Sequence, residues 1–142
     1  MSDLAADFVD RFAEFWRAPA PRRLDDLLAP EVRLVAPLTP TTTGLDAGRS
    51  SFAALLELIP DLTAEVREWG PIPGGVLIEF TLSGTVSGVP LRWHAVDRIA
   101  LRGDGLATER VSYFDSSPLL ATALRHPRAW PRFPRSRARR VG

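Results

Sequence analysis

Residues 76–114, VLIEFTLSGTVSGVPLRWHAVDRIALRGDGLATERVSYF, alternate apolar and polar side chains through two glycine-containing turns. Period-two runs of this length are strands with one buried face, here predicted at 76–86, 89–101 and 106–114. Short hairpin turns also fix register, so the sequence states which side chains face one another. A two-residue turn at Ser87-Gly88 sets Ile78 opposite Asp97, Phe80 opposite Ala95 and Leu82 opposite Trp93. A two-residue turn at Asp104-Gly105 sets Asp97 opposite Ser112 and Ile99 opposite Arg110. The middle strand then carries Leu91, Trp93, Ala95, Asp97, Ile99 and Leu101 on one side, and Arg92, His94, Val96, Arg98 and Ala100 on the other. The apolar side is the core side. Asp97 is its one charge.

Upstream, a fourth strand is predicted at about 62–69. Before it the period is helical. Residues 3–17 place Leu4, Phe8, Phe12, Phe15 and Trp16 on one stripe, with Ser2 as cap and Asp3 at the positive end, and prolines 19 and 21 end the run. A short helix is expected at 22–29, a strand at 31–36 with Val32, Leu34 and Ala36 on one face, a loop at 37–48 and a helix at 50–59 burying Phe52, Leu55, Leu56 and Ile59. Residues 118–125 form a last helix with Ser117 as cap and Pro118 at its first position. Helices followed by a meander give an α+β fold. The expected architecture is a cone-shaped barrel: a curved, mostly antiparallel sheet wrapped by the N-terminal helices, with a short C-terminal helix and room for a pocket on the concave face. Residues 1–125 make this one domain, and 126–142 an Arg/Pro-rich tail.

Composition narrows the chemistry. The 142 residues are 45% hydrophobic and 25% charged, ordinary for one soluble domain. With no cysteine there is no disulfide, thiol nucleophile or cysteine-ligated metal, and with only His94 and His126 no polyhistidine site is expected. No Gly-rich phosphate loop or nucleophile elbow occurs, so neither a metal nor a cofactor is expected. The start, MSDLAADFVD, is acidic without an apolar h-region, and no run approaches the roughly 20 apolar residues of a membrane span. The expected location is cytoplasmic, with no membrane partner. All 18 basic residues are arginine. Residues 1–124 sum to −6 and residues 125–142 to +7, and the tail interleaves its arginines with Trp130 and Phe133. Such a tail could neutralise phosphates and stack on bases, but charged termini are usually solvated, and nucleic acid is not the partner expected here.

A carboxylate on an apolar sheet face is costly, and burial raises its pKa unless a cation or donors compensate. Raised carboxyl groups in pockets are what general acids and bases need. Asp97 is therefore the leading candidate, with Arg110 and Ser112 beside it; the alternative is a structural pair of Asp97 with either one. Phe12, Trp16, Leu34, Ala36, Ile78, Phe80, Leu82, Trp93 and Ile99 are the expected pocket lining. His94, Glu79, Thr81 and Ser83 fall on the outward face, and His126 beyond the last helix. Asp115 either caps that helix or joins the site.

The order of these segments, with "LLAPEVRLVAPL", a Gly-Arg-Ser helix and "RWHAVDRIALRGDGLATERVSYFDSSPLL", resembles the nuclear-transport-factor-2-like superfamily over about residues 4–125. It is most similar to SnoaL-like polyketide cyclase domains. Among ketosteroid isomerases of that superfamily, the resemblance puts Asp97 at the oxyanion-hole aspartate, but their base falls on Ala36 and their tyrosine on Phe12. Against limonene epoxide hydrolases, "SYFD" puts Ser112 where a carboxylate stands, and the rest of their triad falls near Phe80 and Leu82. SnoaL-type cyclases imply a late-strand carboxylate as acid/base, met by Asp115 or Asp97. The resemblance also implies a homodimer through the open sheet face. The expected function is acid/base catalysis on a small apolar carbonyl compound, the alternative a non-catalytic binding or dimerisation module.

Overall fold

The computed structural model describes residues 2–125; the tail 126–142, with His126 and Trp130, lies outside the described residues. Helix α1 (Ser2–Arg17) buries Ala5, Phe8, Val9, Phe12, Phe15 and Trp16, which recur at the three- and four-residue spacing of one helix face. The short helix expected at 22–29 is a 3-10 segment at Pro21–Asp26, and the strand expected at 31 begins at Leu28. Strand β1 (Leu28–Val35) starts early because the Ala107 N–H donates to the Leu27 carbonyl at 2.8 Å, drawing the chain into the sheet before Pro30. The expected loop 37–48 holds a two-residue strand, β2 (Thr42–Thr43), and helix α2 (Leu45–Leu58) begins at 45 rather than 50. Of its expected inward residues, Ile59 is buried and Phe52, Leu55 and Leu56 are half-buried against the core.

Four long strands follow: β3 (Thr63–Ile72), β4 (Gly75–Val86), β5 (Val89–Leu101) and β6 (Ala107–Tyr113), then helix α3 (Ser117–Arg125). The sheet order is β2-β1-β6-β5-β4-β3, with every neighbouring pair antiparallel except β1 and β6, which run parallel. The cone is thus an open, mixed six-stranded sheet with β2 and β3 at its edges. The β4–β5 register is as expected, Ile78 facing Asp97, Phe80 facing Ala95 and Leu82 facing Trp93. Its turn has Ser87 at φ 51° and Gly88 at φ 82°, the paired positive angles of a tight hairpin that glycine adopts without strain.

The second hairpin reaches the expected register by another route. Its loop is three residues long, closed by Gly105 N–H to Arg102 carbonyl at 2.9 Å and Arg102 N–H to Leu106 carbonyl at 3.0 Å. A register shift between Ala100 and Leu101 then absorbs the extra residue, so Asp97 faces Ser112 and Ile99 faces Arg110.

Helix α1 lies across β3 and β4. Phe12 meets Phe80 edge-on at 5.1 Å between ring centroids, and Trp16 lies 6.0 Å from the same ring. Val32, Val76, Ile78 and Phe80 are wholly buried beneath these aromatics. Among the described residues, no helix is long and apolar enough to cross a membrane.

Candidate active site

Three strands position the polar centre of the concave face. β5 alternates Trp93, Ala95, Asp97 and Ile99 inward, all buried, while Arg92, His94, Val96 and Arg98 stay exposed. β6 lies between β5 and β1, so Arg110 has Ile99 on one side and Leu34 on the other. From there Arg110 Nε donates to Asp97 Oδ2 at 2.5 Å. Asp97 is completely buried, whereas the Arg110 side chain keeps 28% of its surface exposed. The pair is therefore a charged link running from the apolar interior to solvent. Ser112, directly across from Asp97, is 5% exposed.

The compensating cation that the burial of Asp97 demands is thus Arg110. The compensation is one-sided. Among the described residues, none is a hydrogen-bond partner of the buried Asp97 Oδ1. A buried carboxylate oxygen left unpaired is a standing electrostatic cost, comparable to an unmade charged hydrogen bond. It is also a lone pair that no donor among the described residues fills.

The structure brings Asp97, Arg110 and Ser112 together and sets Asp115 apart. Asp115 accepts the Ser117 N–H at 2.9 Å, and this bond at the start of α3 holds its carboxyl below the usual range. The helix-capping job falls to Asp115, not to Ser117, whose N–H is the group being satisfied. The residues expected to line a pocket also sit together, packed in the core. Phe12, Trp16, Ile78, Phe80, Leu82, Trp93 and Ile99 belong to one buried cluster, with Leu34 packed at its margin. Helix α2 presses on that margin at Gly48, where an added Cβ would stand 2.8 Å from Leu34 Cδ1. Ala36, half-buried, follows the end of β1.

On the other side of the sheet an open depression of about 460 Å³ is lined by residues including Glu79, His94, Val96, Tyr113, Phe114 and Asp115. His94 Nδ1 lies 2.9 Å from the Thr81 hydroxyl. Beside it Glu79 faces Glu68 directly across the β3–β4 ladder. The alternation had marked Glu79 as outward. Its pairing with Glu68 could not be read, because a register shift at Arg67 moves β3 by one residue.

The SnoaL-like domain family matches residues 9–110. The chain belongs to that family. Solved structures share the fold of this SnoaL-like domain at low identity. One, from Catenulispora acidiphila, is a hypothetical protein of ketosteroid isomerase-like fold in complex with trimethylamine: 22% identity, 87% of this chain and 95% of that one, TM-score 0.75. Another, from Jannaschia, is named for its likeness to SnoaL-type polyketide cyclases: 18% identity, 91% and 94% coverage, TM-score 0.71. A third, from Acidithiobacillus ferrooxidans, carries a polyketide cyclase name at 13% identity, 86% and 95% coverage and TM-score 0.73. None of the curated proteins matches the sequence significantly. These likenesses establish fold. The reaction must be argued from the site.

Proposed function

We infer that this SnoaL-like domain is a cofactor-independent acid/base enzyme acting on a small apolar carbonyl compound, polyketide- or terpenoid-like, by cyclisation, isomerisation or hydration. The observation that carries this reading is the buried, unpartnered Oδ1 of Asp97. Asp97 takes the proton from the carbon next to the carbonyl: the C–H bond breaks, the proton goes to Oδ1, and the electron pair moves onto the carbonyl oxygen. Arg110 holds Oδ2 and supplies positive charge near the developing oxyanion, where a low-dielectric setting makes it count most. Return of the proton to another carbon gives isomerisation; attack of the enolate on a second carbonyl closes a ring. Ser112 faces the carboxyl from the neighbouring strand, and the aromatic cluster excludes water.

A second reading is supported by the packing of that cluster, in which Phe12, Trp16 and Phe80 fill one another's space. The same fold would then be a non-catalytic binding module, with the Asp97–Arg110 pair as a tie between β5 and β6. Thermal shift of wild type and Asp97→Asn against small ketones, lactones, epoxides and polyketide fragments separates the two. A ligand at 100 times its dissociation constant adds about 2.7 kcal/mol. Carbonyl compounds that raise the wild-type melting temperature but not that of the variant support the enzyme. A variant that melts much earlier, with no compound shifting either protein, makes the Asp97–Arg110 pair a structural tie and overturns the catalytic role.

A further inference from the structure

The helices cover the sheet unevenly. Helix α1 packs mainly on β3 and β4, α2 on β1 and β2, and α3 on β5, whereas β6 takes its main contacts from the strands beside it. Burial falls in the same direction. Asp97 on β5 is fully buried and Ser112 on β6 nearly so, while Arg110 keeps 28% of its side chain exposed. Leu34 on β1 and Ala36 just past it are half-buried. Solvent therefore meets the Asp97 centre at the Arg110 guanidinium, beside an apolar border.

That guanidinium has donors to spare. An arginine carries five N–H donors in a planar fork. Arg102 turns Nε and both Nη nitrogens to the carboxylates of Asp104 and Glu31. Arg110 forms one side-chain hydrogen bond among the described residues, from Nε to Asp97 Oδ2, which leaves its Nη1/Nη2 edge open. Its setting is also unlike the others. Every other acid paired with arginine among the described residues is at least 29% exposed, so those pairs stand in water. An open fork edge matches a planar acceptor with two oxygens, which is a carboxylate. A phosphate dianion would bring two negative charges beside Asp97, with one cation to offset them.

We propose that the substrate of this site is an apolar keto acid, held by its carboxylate across Nη1 and Nη2 of Arg110, with the carbon next to its ketone turned inward to Asp97 Oδ1. This rests on the carbonyl-compound reading above and narrows it to the acid. Arg110 then bridges two carboxylates, one of the protein and one of the ligand. The ligand's charge stays at the exposed edge, where water screens it from Asp97. In a 2-oxo acid the ketone oxygen lies beside the carboxylate, so the same arginine still faces the oxygen on which charge builds.

Three probes with one carbon skeleton test this: 4-phenyl-2-oxobutanoate, its ethyl ester and 4-phenylbutan-2-one, each titrated calorimetrically into the full-length protein. The acid should bind about tenfold or more tighter than either neutral probe, the scale of a charge-assisted fork. Arg110→Lys keeps a cation for Asp97 but has no fork. It should erase the preference for the acid and leave the ketone's affinity within about twofold. The wild-type ranking alone decides the matter if the variant fails to fold. Equal affinities for the three probes, or a preference that survives Arg110→Lys, would overturn the anchor and leave the carbonyl reading in place. No binding of any probe would overturn both. An acid that binds through Arg110, yet whose protons next to the ketone exchange in D2O no faster than in buffer, would keep the anchor and sink proton abstraction by Asp97.

Discussion

The two sides of β5 make opposite use of charge. Inward, one carboxylate stands among Trp93, Ala95 and Ile99 and is held by one arginine. Outward, Arg92, His94 and Arg98 share a wet face with Glu79 and Glu109. The outer side holds more ion pairs, yet the inner pair dominates. Exposed pairs are screened and each contributes up to about 1 kcal/mol, whereas a buried charge without its partner is uncompensated in a poor dielectric.

The sharpest way to break this contrast is Arg110→Ala. It strands the fully buried Asp97, and the expected loss is about 3–5 kcal/mol in urea unfolding. A loss no larger than that of an outer-face arginine would abolish the distinction between the faces. Next comes a pair of adjacent residues. Ile78→Ala, directly across from Asp97 on the next strand, should cost about 2–5 kcal/mol, and Glu79→Ala, one step along and outward, within about 0.5 kcal/mol. Third, Arg98→Ala removes the weaker of two contacts to Glu109 and should cost less than about 1 kcal/mol.

The smallest effect concerns acid. Asp115 and Asp61 are held below their ordinary value, chiefly by the backbone N–H groups of Ser117 and Thr85. Their contribution is complete above the unfolded carboxyl pKa of about 3.9 and disappears as pH falls through their lower folded values. Asp115→Asn and Asp61→Asn should therefore each lose less stability than wild type between about pH 5 and pH 2, read as a shallower acid-unfolding profile.

What the sequence shows and what it hides follow the same physics. Ser87-Gly88 announces the β4–β5 register because two residues with positive φ leave a hairpin one choice of pairing. The Asp97–Ser112 register was legible although its loop is one residue longer than expected, because the register shift near Leu101 cancels the difference. That alternation also exposed Asp97 as the one inward charge, and hence the candidate site. The parallel pairing of β1 with β6 was not legible: no turn joins the two strands, and nothing local encodes their register. The β3 shift at Arg67 was hidden for a related reason, since Arg67 is an ordinary strand residue and no glycine marks the extra position. The unpartnered state of Asp97 Oδ1 was equally out of reach. It depends on how one arginine approaches, which pattern cannot specify.

The β1–β6 ladder also sets a timetable for synthesis. Arg33 and Glu109, which pair across it, are 76 residues apart in the chain. A ribosome adding about 5–20 residues per second makes the second of them roughly 4–15 s after the first. Through that interval β1 has only the two residues of β2 beside it, and its other edge lies open to whatever strand it meets. Arg110 comes one residue after Glu109, so the Asp97–Arg110 pair and the closing of that edge arrive together. A nascent chain stalled before β6 would carry both an Asp97 without its arginine and an exposed strand edge on β1.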